Sequence, residues 1–207
     1  ITAASRGIGK ATAAAFQSAG AKVAICARNE IQLLETKMHL ETLGNQSVLA
    51  KVADLSIPED INQLVDFVES DFGGIDILVN NSGGPPPGTH EQIDDEQWSK
   101  AFEATLCSSI RITNRVLPRM KNKGSGRIIN LSSYSVKQPM SSMMLSNSIR
   151  LAALGWSKTL SNELARFNIL VNTICTGWTK TNRVEELLEN RAIEQDTTNA
   201  EIEKAIT

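Results

Sequence analysis

A loop of small residues near the first residue of the chain has the composition of an anion-binding site. It reads Thr2-Ala3-Ala4-Ser5-Arg6-Gly7-Ile8-Gly9 and continues into an alanine-rich segment that predicts a helix. Small side chains let backbone N–H groups approach an anion, and the helix N-terminus adds partial positive charge. Such a loop fits the pyrophosphate of a dinucleotide. The same residue types also form ordinary tight turns, so the loop alone leaves both interpretations open.

Short apolar, β-branched segments alternate along the chain with longer helical patterns. Their near-continuous hydrophobicity is typical of strands buried on both faces, as in a parallel sheet. This alternation predicts an α/β fold with a doubly wound, Rossmann-like parallel sheet, in a single domain over residues 1–207. The predicted strands are Val23–Ala27, Val48–Ala53, Ile75–Val79, Arg127–Leu131 and Ile169–Ile174.

Residues that cap helices precede several of the helical patterns. Asn29 can cap the helix that follows it, with Gln32 reaching back to the cap. Ser56 stands at capping-box spacing before Glu59, and Pro58 falls in the first turn, where no helical N–H is lost. Two longer helices are predicted, one opened by Asp94 or Asp95 and running through Ile110, the other over about residues 146–167.

Composition and net charge favour a globular protein and give no support for a protein that binds nucleic acid or membranes. A chain of 207 residues with 41% hydrophobic and 21% charged residues is typical of a soluble globular protein. The net charge of −2 gives no electrostatic reason to expect nucleic acid or an anionic membrane as partner. Without an apolar run of membrane-spanning length or a secretory signal pattern, the sequence predicts a cytoplasmic location.

The cysteines and histidines predict no metal site. Cys26, Cys107 and Cys175 are isolated, apolar-flanked residues without CxxC spacing, which favours buried thiols in a reducing compartment over a disulfide or metal role. His39 and His90 are far apart in the sequence.

Both ends of the alternating pattern look incomplete. A strand is expected to lead into the opening loop, yet only Ile1 precedes Thr2. At the other end, residues 201–207 have a helical pattern with no strand after it. We therefore expect this chain to lack the first and the last strand of its fold.

Four motifs, in their order along the chain, resemble the short-chain dehydrogenase/reductase family, most closely its 3-oxoacyl-acyl-carrier-protein reductases. The likeness covers essentially all of the chain. It implies an oxidoreductase that transfers a hydride between a nicotinamide and a carbonyl or alcohol substrate, such as a 3-oxoacyl thioester or a small ketone. The motifs are the opening loop, Val52-Ala53-Asp54-Leu55, Val79-Asn80-Asn81-Ser82-Gly83 and Ile129-Asn130-Leu131-Ser132-Ser133.

The resemblance assigns cofactor contacts position by position. Asp54 and Leu55 match adenine contacts, and Asn81 and Gly83 match the segment beneath the adenosine ribose, although Asn and Gly are also ordinary turn residues. The remaining assigned positions are Thr2, Ser5, Arg6, Gly7, Ile8 and Gly9 in the loop and Gly177, Thr179 and Thr181 near the nicotinamide.

Two positions of the cofactor segments depart from the family pattern. Ala3 replaces the first glycine of the loop, where its methyl group is expected to crowd the turn and disfavour positive φ, at a cost of about 1 kcal/mol. Thr176 replaces a proline before Gly177.

The charge of the residues near the expected ribose site indicates which nicotinamide cofactor, NAD(H) or NADP(H), is preferred. Enzymes that use NAD commonly carry an acidic residue after the second strand to accept the ribose hydroxyls. Here the corresponding strand ends Cys26-Ala27-Arg28-Asn29, without a carboxylate. Arg6 and Arg28 suit a 2′-phosphate, which favours NADP(H) over NAD(H). The alternative is two solvated surface arginines.

The catalytic positions depart most from the family, which uses a serine, then a tyrosine with a lysine four residues later. Ser133 matches the serine, but the tyrosine and lysine positions hold Ser146 and Arg150. A serine hydroxyl ionises less readily than a phenol and reaches less far, and Arg150 keeps the charge without being able to deprotonate. Cofactor binding, including a bond from Arg150 to the nicotinamide ribose, should therefore survive better than turnover. Thr105 replaces a further asparagine that supports a relay water in the family.

Two alternatives remain at the catalytic positions. Tyr134, the one tyrosine of the chain, directly follows Ser133 and is either a replacement acid or a packed residue at a strand end. Ser146 and Arg150 are either part of the proton path or merely structural.

Two functional hypotheses follow from these residues. The first is an NADP(H)-dependent oxidoreductase acting on a small-molecule carbonyl or alcohol. The second is a dinucleotide-binding protein without turnover, serving as a sensor or assembly subunit. By family analogy the chain is expected to form a homodimer or homotetramer through helices from Asp95 to about Asn122 and from Ser146 to Phe167, although core burial explains their apolar faces equally well.

Overall fold

The computed structural model of the chain describes residues 1–194 and 196–206. Within them, helices and strands alternate as the sequence predicts. The strands are β1 (Val23–Ala27), β2 (Val48–Val52), β3 (Ile77–Asn80), β4 (Gly126–Ser133) and β5 (Ile169–Thr176). The α-helices are α1 (Gly7–Ser18), α2 (Glu30–Glu41), α3 (Pro58–Phe72), α4 (Asp95–Phe102), α5 (Ser108–Lys123), α6 (Met144–Leu164), α7 (Asn182–Glu194) and α8 (Asn199–Ile206).

All the paired strands are parallel, which confirms the predicted α/β, Rossmann-like fold. β1 pairs with β2, while β4 lies between β3 and β5. Residues Ile1 to Ala4 lie between β1 and β3, because the Thr2 N–H donates to Val79 and the Ala4 N–H donates to Cys26. Behind them is an apolar cleft of about 290 Å³, lined by residues that include Ile25 and Leu78.

The predicted strand ends differ from the observed ones mainly where the strands approach the carboxyl edge of the sheet. β4 and β5 each extend further than predicted, since backbone pairing continues through Ser133 opposite Thr176. Pairing, rather than hydrophobicity, therefore fixes where these strands end. β3 begins at Ile77 instead of Ile75, and β2 ends at Val52.

Helix capping follows two of the three predictions. Asn29 Oδ1 accepts the Gln32 backbone N–H at 2.9 Å, but within the described helix α2 the predicted return bond from the Gln32 side chain does not form. Asp94 forms a capping box with Gln97. The prediction for Ser56 was wrong: Ile57 is the N-cap of α3, and the Ser56 hydroxyl instead donates to Asp54 Oδ1 at 2.8 Å. Ser56 thus stabilises the turn after β2 and does not cap the helix, although its spacing had predicted a cap.

The long helix predicted from Asp94 or Asp95 is interrupted. Glu103–Cys107 forms a π-helical turn between α4 and α5, which places an extra residue in the helix. α6 extends from Met144 to Leu164 and ends in a short 3₁₀ turn, Ala165–Phe167. α8 covers most of the predicted helix 201–207, whose last residue is outside the described residues.

Two regions of the chain form separate compact units, residues 1–176 and residues 177–207. In the first, apolar residues of the sheet pack against α3 and α5, with Val65, Ile128 and Ile169 completely or almost completely buried. In the second, α7 and α8 pack through Leu188, Ala192 and Ile202. A single domain over residues 1–207 stays a prediction.

The predicted burial of the cysteines holds for one of the three. Cys26 is buried in β1, whereas Cys107 and Cys175 are half-buried, and all three are free thiols. Among residues 1–194 and 196–206, no helix has both the length and the apolar composition to cross a membrane. In the same part of the chain, no cluster of three or more His, Cys, Asp or Glu side chains could hold a metal ion.

Candidate cofactor and active site

The parallel strands bring most of the predicted site residues of the first unit to one edge of the sheet. Arg28 follows β1, Asp54 follows β2 and Asn81 follows β3, while Ser133 ends β4. In open parallel sheets, ligands bind outside the carboxyl ends of the strands. The candidate site is therefore at this edge, where the opening loop leads into α1.

The opening loop is attached to the end of β3 by reciprocal hydrogen bonds. Thr2 is buried, and its hydroxyl accepts the Asn81 N–H at 2.7 Å and donates to the Asn81 carbonyl at 2.6 Å. The Asn81 side-chain amide also donates to the Ala3 carbonyl at 3.0 Å. Thr2 and Asn81, which the resemblance assigned to the cofactor, thus also fix the loop against the sheet.

Ala3 corrects the expectation that a methyl group at this position disfavours positive φ. Its φ is 46°, in the left-handed region, and bonds of the flanking groups to Asn81 and Cys26 hold it there. Gly9 packs directly beneath it. A Cβ atom on Gly9 would lie 2.6 Å from the Ala3 carbonyl oxygen and 2.7 Å from Asn81 Nδ2. The close packing of the loop therefore requires glycine at residue 9.

The first turn of α1 presents backbone donors at the loop. α1 begins at Gly7, and the first of its amides to bond back within the segment is that of Lys10, which donates to Arg6 at 3.2 Å. The N–H groups of the first helical turn have no acceptor inside a helix. Gly7, Ile8 and Gly9 thus form the N-terminal turn of α1, and their contact with a bound anion stays a prediction.

Thr36, in the middle of α2, is a loop contact that sequence reasoning missed. It is almost completely buried, and its hydroxyl donates to the Ser5 carbonyl at 2.8 Å. The available signal was the helical spacing of Thr36 from Leu33 and Leu40, which are the other buried residues of α2, because buried polar groups need a partner.

The second part of the candidate site lies after β1 and β2. Arg28 and Arg6 are both exposed at the carboxyl edge. Burial disfavours ionisation of Asp54, but bonds from the Ser56 N–H and hydroxyl, with the charge of Arg28, keep the pKa of Asp54 below its usual value. Asp54 therefore favours its ionised form, mainly through the Ser56 bonds and to a smaller extent through the charge of Arg28.

Ser133 closes β4 and begins a short 3₁₀ helix, Tyr134–Val136. Its hydroxyl accepts the Ser135 N–H at 3.2 Å, which fixes the chain direction just after the strand. Tyr134 is half-buried in that 3₁₀ helix. Its role as a replacement acid stays a prediction.

Ser146 and Arg150 contact each other on α6. Arg150 Nε donates to Ser146 Oγ at 3.2 Å, and a guanidinium Nη donates to the Leu131 carbonyl of β4 at 3.3 Å. Ser146 is buried, with 4% of its surface exposed. The two residues that the resemblance assigned to the family's tyrosine and lysine positions therefore form one hydrogen-bonded pair beside the end of β4.

Thr105 lies on the π-helical turn between α4 and α5. Its side chain is buried, and its hydroxyl oxygen has no hydrogen-bond partner in the structure. A buried hydroxyl of this kind is expected to bind an ordered water or a ligand atom. This is compatible with the relay-water position that the resemblance assigned to residue 105.

A buried row of polar side chains crosses the sheet behind the site. Asn80, Asn130 and Thr173 occupy paired positions on β3, β4 and β5. Asn80 donates to Asn130 at 2.8 Å, and Ser157 of α6 accepts from Asn130 and from Thr173, each at 2.9 Å. This row fixes α6 to the sheet. Sequence reasoning missed it, although polar residues inside apolar strands were the signal.

The remaining assigned positions stay predictions. Leu55 and Gly83 lie in the turns that follow β2 and β3, and a Cβ on Gly83 would meet only open space. Gly177, Thr179 and Thr181 belong to the second unit, residues 177–207. Thr176 ends β5, where its hydroxyl donates to the Ser132 carbonyl at 2.9 Å. Threonine thus adds a cross-strand bond at the position of the family's proline.

Comparison with known proteins agrees with this geometry. The family model described as short chain dehydrogenase matches residues 1–192. The chain is 32% identical over 187 residues to the 3-oxoacyl-[acyl-carrier-protein] reductase FabG of Vibrio cholerae, covering 90% of this chain and 75% of the relative. It is 34% identical over 197 residues to the D-beta-hydroxybutyrate dehydrogenase of Rhizobium meliloti, covering 93% of this chain and 75% of the relative.

Solved structures give the same result. An actinorhodin polyketide ketoreductase with NADPH superposes with a TM-score of 0.93 at 31% identity, covering 98% of this chain and 78% of the other. The L-sorbose reductase of Gluconobacter frateurii, complexed with NADPH and L-sorbose, has a TM-score of 0.88 at 33% identity, covering 93% and 73%. With the order of the motifs and the parallel sheet, these matches show that the chain belongs to the short-chain dehydrogenase/reductase family of oxidoreductases.

Proposed function

We propose that this protein transfers a hydride between NADP(H) and a small carbonyl or alcohol substrate. The observation that carries the proposal is the loop at the carboxyl edge of the sheet. Its Ala3 and Ser5 carbonyls are bonded to Asn81 and Thr36, while the first-turn amides of α1 remain as donors. A loop whose Ala3 and Ser5 carbonyls are already bonded, followed by first-turn amides that have no acceptor within the helix, suits an anion such as a diphosphate.

The exposed arginines favour NADP(H) over NAD(H). Arg28 follows β1, where an enzyme specific for NAD commonly carries an acidic residue that accepts the ribose hydroxyls. Arg6 stands one residue before α1. Two guanidinium groups suit the extra phosphate of NADP(H), to which they can donate several charged hydrogen bonds. Relatives of known structure contain NADPH, which supports the same choice.

The catalytic assignments use the residues at the ends of β4 and on α6. NADP(H), when bound, supplies or accepts the hydride. Ser133 donates a hydrogen bond to the carbonyl oxygen of the substrate. Arg150 holds the nicotinamide ribose and supplies positive charge, while Ser146, or a water that it orders, passes the proton. The bond from Arg150 to Ser146 supports their acting as a pair.

The names of the relatives support a substrate class. A ketone or the corresponding alcohol is named in each of three relatives: the polyketide ketoreductase, the 3-oxoacyl-[acyl-carrier-protein] reductase and the D-beta-hydroxybutyrate dehydrogenase. We propose a small ketone or a 3-oxoacyl thioester as the substrate of this chain.

We also propose a homodimer or homotetramer formed through the long helices. Phe102 of α4 and Leu151 of α6 are 45% and 53% exposed, so each presents an apolar side chain to solvent. Size-exclusion chromatography with light scattering should give at least twice the mass of the chain. A monomer at micromolar concentration would contradict this proposal.

The function is tested in two steps. NADPH and NADH binding is first measured by fluorescence, and tighter binding of NADPH is expected. NADPH oxidation is then followed with a panel of small ketones and 3-oxoacyl thioesters. NADPH binding without turnover of any compound would overturn the enzyme assignment and favour a sensor or assembly role. Absence of binding to either nucleotide would overturn the whole proposal.

A further inference from the structure

The Thr36 hydroxyl makes a hydrogen bond outside its own helix, α2. A threonine inside a helix often bonds the carbonyl one turn earlier in the same helix. Thr36 instead donates to the Ser5 carbonyl, 31 residues away in sequence, at 2.8 Å. With 1% of its surface exposed, the side chain lies between α2 and the loop. A helix residue thus determines the conformation of a loop peptide.

This bond orients the peptide that follows. In a planar trans peptide the carbonyl and the next N–H point in opposite directions. Because the Ser5 carbonyl points to α2, the Arg6 N–H is directed away from α2. Asn81 holds the Ala3 carbonyl in the same manner from the end of β3. The loop is therefore fixed from two sides by side chains of two different elements.

Thr36 lies on α2, the helix that follows Arg28. α2 begins at Glu30, directly after Arg28 and its cap Asn29. Thr36 thus connects the loop to the helix that begins beside Arg28.

We infer that Thr36 is a positioning residue that preorganises the loop for the diphosphate of the dinucleotide. The inference rests on the proposed cofactor function. Its hydroxyl bonds the loop and does not contact the ligand. Binding to a loop that is already fixed loses less conformational entropy, so removal of the hydroxyl weakens binding of ligands that engage the loop.

The test compares variants of similar shape in the full chain. Thr36→Val removes the hydroxyl and keeps the volume, and Thr36→Ser restores a hydroxyl. Thr113→Val is the matched control, since the hydroxyl of the buried Thr113 accepts a bond from Asn80 of β3 and not from a group of the loop. For each variant, the Kd of NADPH and of 2′-AMP, which has no diphosphate, is measured by calorimetry or competition. Thermal stability is measured without ligand.

Loss of a single hydrogen bond predicts that Thr36→Val raises the Kd of NADPH about three- to tenfold. The Kd of 2′-AMP should change less than about twofold, and Thr36→Ser should restore NADPH binding. Thr113→Val should lower thermal stability and leave both Kd values unchanged. Should Thr36→Val not fold, Thr36→Ala is measured in its place, and its change in the Kd of NADPH is compared with its change in the Kd of 2′-AMP.

Two results would overturn the inference. One is an unchanged NADPH affinity in folded Thr36→Val. The other is an equal loss of affinity for NADPH and 2′-AMP, which would indicate general distortion. Failure of the proposed function is distinguishable, because the unmodified protein itself would then not bind NADPH.

Discussion

Arg150 donates a hydrogen bond to Ser146 from one turn further along α6, at an Nε–Oγ distance of 3.2 Å. The pair keeps a positive charge beside the end of β4, where Arg150 also bonds the Leu131 carbonyl. Neither partner is a good proton donor near neutral pH, because the guanidinium cannot deprotonate and an aliphatic hydroxyl ionises poorly. The pair is therefore suited to holding a ligand better than to rapid proton transfer.

Replacing both residues should increase turnover. The variant Ser146→Tyr with Arg150→Lys introduces a phenol whose pKa a neighbouring ammonium lowers toward neutrality. We expect the kcat of ketone reduction to rise about 10²-fold, at the low end of what general acid–base catalysis provides. The rate of NADPH oxidation with the ketone panel is the measurement.

The control for this variant is Ser146→Phe with Arg150→Lys, which has a ring of similar size and no hydroxyl. It should show no gain in kcat. Equal rates in the two double variants, with NADPH binding retained in both, would contradict an acid role at residue 146.

Arg28→Ala should weaken NADPH binding selectively. The loss of one exposed charged contact is expected to raise the Kd of NADPH about fivefold and the Kd of NADH less than twofold. The difference should shrink in high salt, because exposed charges are screened. Lys100→Ala, which removes an exposed cation paired with Glu96 on α4, is the control. Equal changes for the two nucleotides would argue against a phosphate contact at Arg28.

Ala3→Gly should stabilise the protein. Ala3 has a φ of 46°, a region that costs an L-residue about 1–2 kcal/mol and glycine very little. Since glycine also makes the unfolded chain more flexible, a net gain of about 0.5–1 kcal/mol in the free energy of unfolding is expected. Urea denaturation gives this value. Ala13→Gly, in the helix interior of α1, should have the opposite sign. A destabilised Ala3→Gly variant would show that the turn is not strained.

The ionised carboxylate of Asp54 should increase the free energy of unfolding at neutral pH and contribute less at acidic pH. Its pKa is lowered in the folded protein, where burial is outweighed by the Ser56 bonds and the charge of Arg28. This contribution is complete above the pKa of the unfolded chain, about 4, and is lost as pH falls through the lower folded value. Asp54→Asn should thus lower unfolding free energy at pH 7 more than at pH 3, as measured by urea denaturation. An equal loss at both pH values would contradict an ionised, stabilising Asp54.

The three cysteines should differ in reactivity. Burial raises the pKa of the Cys26 thiol, and 2% of its surface is exposed. Burial and the nearby Glu103 raise the pKa of Cys107, which is half-buried. We expect iodoacetamide at pH 8 to label the half-buried Cys107 and Cys175 before Cys26, which should react only after unfolding because its buried thiol is neither accessible nor readily ionised. Peptide mass spectrometry gives the order. Early labelling of Cys26 would show that β1 opens readily.

Much of the fold could be predicted from the sequence alone. Apolar β-branched segments between helical patterns identified all five described strands, because strands buried on both faces must be almost continuously hydrophobic. Asn29 and Asp94 identified two helix starts, since a cap is a local bond within one turn. The prediction of a Ser56 cap failed because the Ser56 hydroxyl bonds Asp54, which is one residue closer in sequence than Glu59.

The candidate site was predictable only in part. The types and order of the residues predicted a cofactor role for Thr2 and Asn81 and a catalytic role for Ser133, and these roles stay predictions. Asn81 and Ser133 do lie at the same edge of the sheet, because the carboxyl ends of parallel strands meet there. The conformation of Ala3 was not predictable from its type. It depends on a bond from Asn81, 78 residues further along the chain.

The sequence by itself determined the family and the alternation of strands and helices, and it predicts Ser146 and Arg150 at the positions of the family's tyrosine and lysine. These are properties of residue type and spacing. The tertiary structure decided which groups bond across the chain: Thr36 to Ser5, Arg150 to Leu131, and Asn130 to Ser157. Such pairs form only when packing brings distant elements within about 3 Å, and no local pattern encodes that approach.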